Sequence, residues 1–144
     1  MRWLLIATVV SVTGLAAATA SASKPPDPCV LLSTTDASTA LGSTPSKPKT
    51  TTVGTARSCT YAVKKKTMIV ATTRVATQAA FDKAAKAKGL AFQIQGVGAD
   101  AWTVARGKTL LVWKNGVQIS ITFAGVNVFV ATQQSLAKTA IGRL

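Results

Sequence analysis

The 144-residue chain contains no histidine, no glutamate, a single tyrosine and two cysteines. Without histidine it lacks the side chain that most often moves protons near neutral pH. Its four acids, Asp27, Asp36, Asp82 and Asp100, are scattered. Asp27 sits in a proline-rich segment and Asp36 at a helix start, both places with plain structural uses. No G-x-S-x-G elbow occurs, and nothing in the residue order brings a serine to a lysine. The glycines of "GVGADAW" (96–102) open no phosphate loop, because no helix starting on Lys-Ser/Thr follows; they read as a bend. An enzyme is therefore not expected, and neither is a cofactor or a metal site.

Long apolar runs are also scarce. The one present, "WLLIATVVSVTGLAAATA", follows Arg2 and leads into the small-residue stretch "ATASASK". That layout predicts an export signal over residues 1–22, with cleavage after Ala20 or Ala22. The rival reading is an uncleaved anchor, since the run approaches the ~20 residues that span a bilayer. No cysteine directly follows the run, so a lipid-anchored start is not expected. The expected product is exported to the periplasm or the exterior, with a linker at 23–28 and one domain at 29–144. Cys29 and Cys59 suit an oxidising compartment. Pairing them closes a loop of about 30 residues, and the alternatives are two free thiols or half a metal site.

The remaining pattern predicts an α+β domain: about five antiparallel strands, two or three helices mainly on one face, and one disulfide. In "CVLLSTTDASTALG", Ser33 caps a helix, Asp36 completes a capping-box relative, and Gly42 ends it. The proline-broken stretch 43–56 reads as a loop, with some strand near Val53. "RSCTYAV" and "TMIVATTRV" are strands joined at Lys64-Lys65-Lys66. A helix follows over "TQAAFDKAAKAKG", capped by Thr77, with Phe81, Ala84 and Ala85 facing inward. "AWTVAR", "KTLLVWK" and "VQISITFA" form a meander, and Asn115-Gly116 makes a two-residue turn. A closing helix buries Leu136, Ala137, Ala140, Ile141 and Leu144, with Thr132 as its expected cap.

The motifs Asp27-Pro28-Cys29, Leu31-Leu32, Ala40-Leu41-Gly42 and Cys59-Thr60-Tyr61 resemble those of a family of small exported bacterial domains of uncharacterised function. Such domains open on D-P-C-x-L-L and A-L-G and carry a second cysteine in C-x-[YW]. Phe81, "GVGADAW" and "LAKTAIGRL" (136–144) fit the same outline. Two features depart from it. Ala99 stands where an acid is expected, with Asp100 one place later, and the lipid-attachment cysteine common in such domains is absent. The resemblance implies a disulfide-linked α+β domain at the cell envelope or outside, and implies no activity.

Positive charge is abundant. Seventeen Lys and Arg against four acids give +13, and loss of Arg2 with the signal leaves about +12. Such a surface attracts polyanions: envelope polymers, anionic lipid surfaces, extracellular nucleic acid or acidic proteins, with envelope polymers and acidic proteins the favoured reading. Candidate anion-binding groups are Lys64, Lys65, Lys66, Lys83, Lys86, Lys88, Arg106 and Lys108. Only Tyr61 interleaves with the lysine run, so sequence-specific nucleic-acid binding is disfavoured. Strand alternation supplies a second candidate. The Asn115-Gly116 turn pairs Lys114 with Val117 and Val112 with Ile119, so Leu111 and Trp113 leave the core face. With a turn at Arg106-Gly107, Trp102 and Val104 join them, and such a face would suit an inhibitor or effector that grips one protein partner. A membrane-active reading is disfavoured, because the lysines do not follow an amphipathic helix.

Overall fold

The computed structural model describes residues 23–89 and 91–144, so the predicted export signal at 1–22 lies outside the described residues. The chain forms an α+β fold in the order α1 (Pro28–Leu31), α2 (Thr34–Leu41), β1 (Lys49–Val53), β2 (Ala56–Val63), β3 (Lys66–Arg74), α3 (Gln78–Ala87), β4 (Phe92–Gln93), β5 (Asp100–Val104), β6 (Thr109–Lys114), β7 (Val117–Ala124) and α4 (Val130–Gly142). Among the described residues, one antiparallel sheet carries seven strands in the order β1-β2-β3-β7-β6-β5-β4. The sequence predicts about five. The extra two are edge strands, the short β4 and the threonine-rich β1, whose side chains are exposed throughout and give no alternation to read.

The strand registers follow from turn chemistry. Asn115 and Gly116 both take positive φ, as a two-residue hairpin turn requires. The resulting pairs, Lys114 with Val117, Val112 with Ile119 and Leu110 with Ile121, are those the sequence predicts. Alternation then sends Leu110, Val112, Ile119, Ile121 and Phe123 into the main core. There they meet Leu31 and Leu32 beside α1, Ala37, Ala40 and Leu41 of α2, and Leu136, Ala137, Ala140 and Ile141 of α4. Three helices thus share one face of the sheet.

Local caps set the helix ends. Ser33 and Asp36 exchange bonds in a complete capping box, at 2.7 Å from the Ser33 amide and 3.2 Å to its hydroxyl, and Gly42 ends α2 in the left-handed conformation. Thr77 caps α3 through the Ala80 amide. Two details differ from the sequence reading. Ala84 and Leu144 are exposed, because α3 touches the sheet only along a narrow stripe and Leu144 follows the last turn of α4. The N-cap of α4 is Phe129, not Thr132, and it makes no side-chain cap bond.

Cys29 and Cys59 are joined, which ties α1 to the middle of β2 across a separation of 30 residues. The same junction holds buried Tyr61, whose hydroxyl donates to the Leu32 carbonyl. Burial pushes the Tyr61 pKa above 10.0, and the charges of Asp36 and Asp27 add to the rise. Residues before α1 lie across the sheet. Thr72 donates to the Pro26 carbonyl at 2.7 Å, and Arg57 meets Asp27 at 2.6 Å. Reduction of Cys29–Cys59, or the Cys29→Ala/Cys59→Ala pair, should lower stability by roughly 3 kcal/mol through the freed loop. A thermal melt that is unchanged under reductant would contradict this.

Candidate functional site

The predicted tryptophan face forms, but another element covers it. Trp102 pairs with Leu111 and Val104 with Thr109, so Trp102, Val104, Leu111 and Trp113 share the sheet face opposite the main core. The connecting turn spans four residues, 105–108, and keeps that register. Helix α3 lies on this face and places Phe81 and Ala85 against Val104 and Leu111, all four of them buried. Trp102 donates to the Asp82 carboxylate at 3.0 Å and stacks under Lys86, whose ammonium is 5.6 Å from the ring centre. Trp113 donates to the Val75 carbonyl at 2.8 Å. Val104 and Leu111 therefore belong to a second, smaller core, with Trp102 and Trp113 half-buried against it. The cause is the apolar stripe of α3, which needs a partner as much as the strand does.

The cations have a different fate. The ends of β2, β5 and β7 and the starts of β3 and β6 lie at one edge of the sheet, because all neighbours are antiparallel. That edge carries Lys64 and Lys65 in the β2–β3 turn, Lys66 beside it, and Arg106 and Lys108 in the β5–β6 turn. Helix α3 starts at the far end, after β3, and runs back, so its C-cap Lys88 arrives next to that turn. Lys88, Gly89, Ala105, Arg106 and Lys108 line a shallow groove of about 410 Å³. Lys108 also borders a second hollow of about 400 Å³ with Phe123, Ala124, Gly125, Val126 and Asn127. Lys47 belongs to the same end, since the Ser46 amide binds the Ala62 carbonyl at 3.0 Å. At a strand spacing of ~4.8 Å, the two turns stand roughly 15 Å apart.

Not every predicted cation is free. Lys66 donates to the Leu41 carbonyl at 2.9 Å and so closes the C-terminus of α2, where a cation also suits the helix dipole. Lys83 and Lys86 stay on the flank of α3, and only Lys88 reaches the groove. Lys64, Lys65, Lys88, Arg106 and Lys108 are exposed. No acid shares their end. Asp27 is paired with Arg57, Asp36 with Arg143 at 2.8 Å, Asp82 is held by Trp102, and Asp100 opens β5 at the far side. Among the described residues, no cluster of three or more His, Cys, Asp or Glu could hold a metal ion.

The β5–β6 turn of the cationic end is tied to the interior. Ala105, Arg106 and Gly107 all have positive φ, an uncommon conformation for the first two. Gln133, 1% exposed, holds this turn: its amide nitrogen donates to the Gly107 carbonyl at 2.9 Å and to the Val128 carbonyl at 3.1 Å. The predicted apolar stripe of α4 omits Gln133. Extended one turn toward the N-terminus, the same spacing reaches it, which is the signal that locates it. Gly125 is required where the loop after β7 passes the lysine turn, since a Cβ there would overlap the Lys65 carbonyl. Phe129 and Val130 protrude from this end, 82% and 54% exposed, and Phe129 shares a small cleft with Gly42 and Lys66. Phenylalanine at an N-cap forgoes a bond worth about 1 kcal/mol.

Comparison with protein-family models, with curated proteins and with solved structures finds no match for this chain.

Two outcomes follow from this geometry. Burial acts to raise the Asp36 pKa, but hydrogen bonds from Ser33 and Arg143, with the Arg143 charge, carry it below 3.8. Asp36 therefore stabilises fully above its unfolded value, and that contribution is lost as pH falls through the folded one. Melting temperatures below about pH 5 should fall less steeply in Asp36→Asn, which starts about 1 kcal/mol less stable. Gly125→Ala should cost more than about 1 kcal/mol, read by denaturant titration, because both φ and space oppose a side chain.

Proposed function

We propose that this chain is an exported, non-catalytic binding protein whose cationic end captures anionic polymers or acidic proteins of the cell envelope or exterior. One observation carries the reading: Lys64, Lys65, Lys88, Arg106 and Lys108 meet at one end of the sheet with no acid among them. Cations also stand elsewhere, with Lys24, Arg57 and Arg74 around a hollow at the opposite end, but there Arg57 is paired with Asp27 and Arg74 is bonded to Ser23. Five cations with no acid beside them raise the local positive potential, which favours an anionic ligand at this end. The shallow grooves suit a chain of repeated charges better than a small enclosed ligand. The motif resemblance agrees with an envelope or exterior location, and the disulfide fits it.

Capture by charge has a signature in salt. Binding of long-chain polyphosphate should weaken steeply between low and moderate ionic strength, because each neutralised charge releases a counterion. The triple variant Lys88→Gln/Arg106→Gln/Lys108→Gln should bind about tenfold or more weakly at low salt and lose part of the salt slope. The control Lys114→Gln/Lys138→Gln removes two charges away from this end and should change little. Equal losses per charge removed in the two variants, measured by fluorescence anisotropy, would reduce the effect to net charge and sink the localised site.

A further inference from the structure

We infer that the cationic end docks on an anionic lipid surface, with Phe129 and Val130 entering the interfacial layer. This goes beyond the polymers and acidic proteins named above and rests on the same cationic end. The β7 strand ends at the cationic end, and the segment after it delivers Phe129 there as the N-cap of α4. α4 then runs away to Arg143, which bonds Asp36 at the far side. The protruding ring and valine therefore share an end with Lys64, Lys65 and Lys66, and Phe129 and Lys66 border the same cleft of about 180 Å³.

Two properties favour lipid over a folded partner. A protein would need a pocket shaped for the ring, whereas a bilayer interface accepts an apolar side chain without shape complementarity and pairs it with any basic neighbours. The free cations stand on turns and helix ends, on flexible stems, an arrangement that serves mobile headgroups and not a fixed array of carboxylates. Among the described residues no helix is long and apolar enough to cross a membrane. Phenylalanine at this N-cap is unfavourable twice, exposing a ring to water and forgoing a cap bond. A folding role does not account for it, whereas insertion does.

The test uses the exported form of the chain and the variant Phe129→Ser, with vesicles of equal phosphatidylglycerol and phosphatidylcholine, vesicles of phosphatidylcholine alone, and polyphosphate. The parent should co-sediment with the anionic vesicles and not with the neutral ones. Phe129→Ser should melt higher, because serine restores the cap, yet bind anionic vesicles about tenfold or more weakly. Its polyphosphate binding should equal the parent's. Equal vesicle binding by parent and variant overturns the insertion. A parent that binds polyphosphate but no vesicle overturns the lipid assignment and leaves the cationic reading standing. A parent that binds neither removes both.

Discussion

Strand β6 is apolar on both faces, and that constraint organises the rest of the molecule. Leu110 and Val112 enter the main core, while Leu111 and Trp113 point the other way. A strand of this kind cannot leave either side to water, at roughly 1.5–3 kcal/mol for each large side chain left uncovered. The chain answers with α2 and α4 on one side and α3 on the other. To reach its place, α3 must travel from the far end of β3 back along the sheet. Its C-terminus therefore arrives beside the β5–β6 turn, and Lys88 joins Arg106 and Lys108. Covering Leu111 is what carries Lys88 to the groove.

Charge is divided along the same axis. Asp36 meets Arg143 where α2 begins and α4 ends, and Asp27 meets Arg57 where β2 begins. Both pairs stand at the end remote from the lysine turn. Each is partly solvated, so its direct contribution is modest. Their larger effect is to occupy carboxylates where they fix chain termini, leaving the opposite end with cations alone. Lys66 is the exception there, since the Leu41 carbonyl holds it.

Short-range chemistry was readable from the residues: the Ser33–Asp36 capping box, Thr77, the glycine end of α2 and the Asn115-Gly116 register all depend on near neighbours. Strand alternation also placed Trp102, Val104, Leu111 and Trp113 together. What it could not supply was the element above them, because the pairing of α3 with that face is a long-range choice between two apolar surfaces. The convergence of Lys64, Lys88 and Arg106 was hidden for the same reason: it depends on strand order. Phe129 was hidden differently. A phenylalanine in an apolar stretch reads as core, and only the geometry of α4 shows it outside.

Gln133 brings a different kind of dependence. Its amide nitrogen has two hydrogens, and both are given to carbonyls that belong to separate loops, those of Gly107 and Val128. Glutamate has nearly the same shape but offers no donor when ionised, and would set a carboxylate against two carbonyl oxygens. The position is thus chemically selective where it is sterically permissive. Two surface loops, one bearing Arg106 and Lys108 and the other leading into Phe129, are held in mutual register by a single nitrogen. The spacing between charge and ring is a property of the interior, inherited by the surface.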